Sequence, residues 1–156
     1  MEPLFPPSDK RWIIEQSQII VRSYARWFGR SLVTAQSEKE QALELFHLAS
    51  VIASTDTHED PVLNYGNQTA LTLWELPWEK FTQTPGRHTA EPMEREARAR
   101  FLEEVRENGF VENYQGVRIS GSGRRFKIQS AAVWNLMDDK ARFCGQAVMF
   151  KEWAYI

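Results

Sequence analysis

One cysteine, Cys144, cannot form an intramolecular disulfide or a cysteine-based metal cluster. No apolar run approaches the roughly 18 residues of a membrane span. The opening "MEPLFPPSDK" lacks the basic start and apolar stretch of a secretory signal. A cytoplasmic protein in a reducing compartment is therefore expected, with no membrane partner. An excess of one charge is also missing. Lys plus Arg number 19 and Asp plus Glu 21, for a net charge of −2. A general nucleic-acid binder needs a basic face, so no nucleic-acid partner is expected. His47, His58 and His88 are scattered, without HExxH or similar spacing, so no metal site is expected. GxSxG, P-loop and GxGxxG patterns are absent, as are internal repeats.

What is present suits one compact domain: 156 residues, 42% hydrophobic and 12% aromatic. Residues 1–9 read as an irregular leader, 10–50 as an N-terminal helical segment and 51–156 as the core. Ser8 or Asp9 can cap a first helix carrying Ile13, Ile14, Ile20, Val21, Tyr24, Trp27 and Phe28, and Gly29 ends it. Ser37 and Glu40 form a capping-box pattern for a second helix. "SVIASTD" and "VLNYG" read as two strands around the turn "THEDP". Asn67 can cap a short helix, Pro77 opens another, and "TQTPGRHTAE" is a loop. Pro92 opens a longer helix, where Met93, Ala97, Phe101 and Val105 lie four apart, and Gly109 closes it. Three strands follow, the first two joined at Gly121-Ser122-Gly123. In the middle one Phe126, Ile128, Ser130, Ala132, Trp134 and Leu136 alternate as one apolar face.

Five blocks, "DPVLNYGNQTALTLWELPWEKF", "GRHTAEPMEREARARFLEEV", "YQGVRISGSGRRFKI", "AVWNLMD" and "GQAVMF", fall in an order that resembles the bacterial MEKHLA domain. The likeness covers about residues 10–153. That family is related to the PAS sensor fold. The resemblance implies an α+β architecture: a five-stranded antiparallel sheet in order 2-1-5-4-3, helices on one face, and two N-terminal helices. The segment after the second strand would wall a cup against the sheet. MEKHLA domains also end plant class III homeodomain-leucine zipper proteins, where they are thought to regulate dimerisation or sense a signal. No homeodomain or zipper pattern occurs in these 156 residues. Flavin-binding light-oxygen-voltage domains are a second comparison, whose "NCRFLQ" loop lies where this chain has "PGRHTA". Arg87 matches that loop's phosphate-binding arginine, and Gly86 replaces its photoreactive cysteine. Arg118 and Ile128 stand where two asparagines face the flavin ring. No covalent flavin adduct, and no cofactor, is expected.

The pocket candidates are Arg87, His88, Arg118, Ser130, Ala132, Trp134 and Ala147. Arg87 is either an anion clamp or a loop arginine paired with Glu91 or a carbonyl. Arg118 shares strand parity with Tyr114 and Gly116, which puts it on the cup side, facing a ligand anion or an acid such as Glu91 or Glu112. Ser130 and Ala132 either leave space for a ligand or admit a helix backbone, and Trp134 either stacks on a flat ligand or fills the core. His88 is a ligand contact or a satisfied loop histidine. Cys144 is a structural thiol pointing away from the apolar side. Three functions compete. The first is a sensory module that binds a small molecule in the cup and signals through a homodimer of its N-terminal helix or an output protein. The second is an interaction module with a filled core. The third is a small α+β-cone enzyme, which wants an inward acid such as Glu112. The first, non-enzymatic reading leads.

Overall fold

Asp9 starts the first helix, α1 (Lys10–Phe28), its carboxylate accepting from the Trp12 amide at 2.9 Å. A computed structural model describes residues 5, 6 and 8–156, so part of the expected leader, residues 1–4 and 7, lies outside the described residues. Ser37 caps α2 (Glu38–Phe46) by accepting from the Glu40 amide at 3.1 Å. Then come β1 (Val51–Thr55), β2 (Leu63–Gly66), α3 (Gln68–Trp74), α4 (Trp78–Phe81) and a 3-10 turn, Gly86–Thr89. The chain closes with α5 (Pro92–Asn108), β3 (Phe110–Ile119), β4 (Arg125–Met137), β5 (Phe143–Phe150) and β6 (Glu152–Tyr155).

The strands form one antiparallel sheet in the order β2-β1-β5-β4-β3, so the first strand lies beside β5 as the resemblance implies. β6, not anticipated from the sequence, pairs Phe126 to Gln129 of β4 and carries on the line of β5 after a break at Lys151. The 13 residues of β4 outrun the eight of β5, and β6 satisfies the remainder.

Both faces of the sheet are covered. On one face lie α3, α4 and α5, with Ala53, Leu63, Trp74, Phe81, Phe126, Ile128 and Ala131 forming a cluster. On the other face α1 packs Ile13, Ile20 and Tyr24 against Ile52, Trp134 and Leu136. Trp27 donates to the Asn135 carbonyl at 2.9 Å, and Ser23 accepts from the Met137 amide at 2.9 Å, fastening α1 to β4.

Asn67 ties these parts together. Fully buried, its Oδ1 accepts from the Ile52 and Ala70 amides, both at 3.0 Å, while its Nδ2 donates to the Ser50 carbonyl at 2.8 Å and the Leu45 carbonyl at 3.2 Å. One side chain thus caps α3 and pins the end of α2 to the start of β1.

The unbroken alternation expected along β4 does not hold. Ser130 sits at φ 49 and the register with β3 shifts there. A bulge inserts one residue, so every side chain beyond it changes face. Phe126 and Ile128 belong to the cluster under α5, whereas Ala132, Trp134 and Leu136 belong to the cluster under α1. Helix α5 differs too. Met93 is 76% exposed and Ala97 is exposed, while Arg98, Phe101, Leu102 and Val105 turn inward. At 3.6 residues per turn, a strict spacing of four drifts about 40° at each step, so Met93 and Val105 cannot share a face. Cys144 packs against the cluster under α1 rather than pointing away from the core, and burial raises its thiol pKa, with the Asp138 charge adding to the effect.

Candidate functional site

A cavity of about 70 Å³ lies between the sheet and α5. Ala53 and Thr55 of β1, Leu63 of β2, Trp74 of α3, Phe101 and Leu102 of α5, Tyr114 of β3, and Ile128 and Val133 of β4 line it. Two guanidiniums border it, Arg98 from α5 and Arg118 from β3, and no Asp or Glu among the described residues does.

Arg118 reaches the cavity because its register partner on β4 is Phe126, a residue of the face under α5. It is only 8% exposed. Its Nη1 donates to the neighbouring Val117 carbonyl at 2.8 Å and its Nη2 to the Tyr114 hydroxyl at 3.0 Å. Tyr114 in turn stacks on Phe101, with ring centroids 3.8 Å apart and planes 14° from parallel. Among the described residues neither Arg118 nor Arg98 forms an ion pair.

Arg98 is half-buried as a residue, and its guanidinium is desolvated. Burial, with the Arg118 charge adding to it and Tyr114 and Asp60 opposing it, pulls its pKa down to about 10. It stays charged at neutral pH. It borders both the cavity and an outer groove of about 830 Å³, whose charged lining mixes the acids Asp56, Glu59, Asp60, Glu96, Glu103 and Glu107 with Arg87, Arg95 and Arg106. Sequence reasoning missed Arg98. The available signal was its spacing: residues 98, 101, 102 and 105 follow the i, i+3, i+4, i+7 pattern of a buried stripe, with an arginine in the first place.

Two glycines make room for these charges. A Cβ at Gly86 would stand 2.8 Å from Arg98 Nη2, and one at Gly116 would stand 3.0 Å from Arg118 Nη1 and strike the Tyr114 hydroxyl. The space that a cysteine side chain would take at position 86 is thus next to the Arg98 guanidinium.

The expected pocket residues separate. Arg118 and Ala147 border the cavity, though Ala147 pairs with Ser54 and Trp134 and packs in the cluster under α1. Arg87 and His88 are exposed outside it. Arg87 pairs with Asp60 at 3.1 Å, rather than with Glu91 or a carbonyl, and meets His88 Nε2 at 3.0 Å. Ser130 is exposed at the bulge, while Ala132 and Trp134 lie across the sheet, where Trp134 meets Tyr24 edge-on at 5.0 Å. Glu91 and Glu112, suggested as partners of Arg118, instead pair with Arg125 and with Arg30, the latter at 2.8 Å. Trp74, in the cavity wall, carries a buried indole N–H with no partner.

A family model, MEKHLA domain, matches residues 14–155. The homeobox-leucine zipper protein ATHB-14 of Arabidopsis thaliana is 27% identical over 143 residues. That match covers 88% of this chain but only 17% of the plant protein. A PAS domain of a Colwellia psychrerythraea protein superposes with a TM-score of 0.63 at 15% identity, over 76% of this chain and 95% of that one. A light-oxygen-voltage domain studied with a flavin analogue gives a TM-score of 0.58 at 15% identity, over 74% and 82%. An RNA-binding light-oxygen-voltage receptor gives 0.54 at 16%, over 67% of this chain and 29% of the receptor. At these identities the structural likeness speaks to the fold alone. No helix among the described residues is long and apolar enough to cross a membrane.

Proposed function

Since the chain belongs to the MEKHLA domain family, a family of PAS-like sensory domains, we propose that it is a ligand-binding sensory module whose site is the cavity under α5. The observation carrying this reading is that cavity's chemistry: Arg118 is buried there with only a carbonyl and a phenol as acceptors. A buried charge without an acid partner is costly in a merely structural core, and a ligand would supply the missing group. A solidly packed interaction module gives no reason for it.

The enzyme reading lacks its acid. No carboxylate borders the cavity among the described residues, and Glu112 is at the surface with Arg30. The residues at the cavity also do not fit a flavin. Arg118 and Ile128 cannot reproduce the paired amide contacts of the light-oxygen-voltage pattern, so no cofactor is assigned.

Output is proposed to run through association, as a homodimer or with another protein. Trp12, Ile14 and Ile19 pack at the edge of the cluster under α1 and stay partly exposed, and the apolar surface they still show is proposed to meet a second copy of the chain. Ligand would act by favouring one arrangement of α1 over another, which demands unequal affinity for the two. A cytoplasmic location and no nucleic-acid partner complete the reading, from the single cysteine and the net charge of −2.

Native mass spectrometry on gently purified protein tests this. A retained small molecule, lost from Arg118→Gln, is expected. Apoprotein alone, from several growth conditions, would refute it.

A further inference from the structure

Resting on the reading of the cavity as a ligand site, we propose that its occupant is a small monocarboxylate with an apolar body, its carboxylate held between Arg98 and Arg118.

Charge argues first for this class. The cavity holds two guanidiniums and no carboxylate: Glu91 is committed to Arg125 and Glu112 to Arg30, while Asp60, paired with Arg87, acts on Arg98 only from the outer groove. A guanidinium has five N–H donors, and Arg118 spends two groups on Val117 and Tyr114. The remainder can take a carboxylate in the two-pronged geometry that suits a planar fork.

The site is also built. Gly86 and Gly116 stand against the two guanidiniums where any side chain would displace them. The Tyr114 hydroxyl and its stack on Phe101 fix Arg118 in place. The unpartnered indole N–H belongs to a wall residue, Trp74.

Size and walls set the rest. A cavity of about 70 Å³ takes a small molecule only. Leu63, Phe101, Ile128 and Val133 give the far walls no second cation, so a second carboxylate would be left unpaired. Arg98 borders both the cavity and the outer groove, so its charge faces the site from the open side.

The test is a matched pair of probes. Calorimetric titration with acetate and propionate, which suit the cavity's size, is compared with acetamide and propionamide, which keep the shape and remove the charge. At least one acid is expected to bind about tenfold or more tightly than its amide. Arg118→Gln and Arg98→Gln are each expected to weaken that acid by about tenfold to a hundredfold. Arg98→Gln keeps the test decisive if the buried Arg118 variant fails to fold. Amides that bind as tightly as the acids would overturn the carboxylate assignment and leave the ligand site standing. Failure of all four probes to bind would overturn both.

Discussion

Arg98 and Arg118 bring two like charges to one small space, and each disfavours the other. In the absence of ligand that arrangement costs stability, which is the usual sign of a residue kept for binding rather than for folding. Replacing Arg98 by an apolar side chain of similar length removes the repulsion and keeps the packing of the stem. Arg98→Met is therefore expected to raise the stability of the empty protein by about 1 kcal/mol, seen as roughly 2–4 °C in Tm by calorimetry. A marked fall in Tm would assign Arg98 to structure instead. Arg118 was legible in the sequence because strand parity with Tyr114 and Gly116 puts it on the cup side, where the structure has it. Arg98 was not, because an arginine in a helix stripe reads as solvated charge unless the whole stripe is laid out at 3.6 residues per turn.

At the scale of the element, Asn67 joins α2, β1 and α3 with one amide. Asn67→Ala leaves the buried Ile52 and Ala70 amides and the Ser50 carbonyl without a partner. A loss of about 3 kcal/mol, or roughly 6–12 °C in Tm, is expected by thermal denaturation. Asn67→Ser, which keeps a short neutral cap acceptor for the Ala70 amide, should lose less. Equal losses in the two variants would contradict the capping role. The sequence showed Asn67 as a helix cap, because an Asx residue before an amphipathic stretch is a local signal. Its ties to α2 and β1 are long-range and leave no local trace. The bulge at Ser130 was illegible for a related reason. Serine at positive φ has no distinctive neighbour pattern, yet one inserted residue moves Trp134 from the cup to the opposite face. The four-residue run Ala131-Ala132-Val133-Trp134, apolar at every position, was the readable hint that both faces of β4 are covered there.

On the scale of the molecule, one sheet separates the candidate site from the proposed output helix. A line of polar contacts crosses it. Gln146 donates to the Leu102 carbonyl of α5 at 2.9 Å and to Asn135 at 3.2 Å, and Asn135 donates to the Arg106 carbonyl at 3.0 Å. On the far face the Asn135 carbonyl accepts from Trp27 of α1. A ligand that repositions α5 therefore acts on residues that also hold α1. The order of elements and the 2-1-5-4-3 sheet were foreseeable through the family resemblance, and the order stands in the structure. The second helical layer beneath the sheet explains why α1 is so rich in aromatics: Tyr24, Trp27 and Phe28 are spent inside the chain, against Trp134 and Phe110.

A crystal structure of the protein purified without denaturant addresses the central claim directly. Non-protein density between α5 and the sheet, within hydrogen-bonding distance of Arg118, is the expected result. An Arg118 guanidinium paired to one of the chain's own carboxylates, with side chains filling the space around it, would contradict the account.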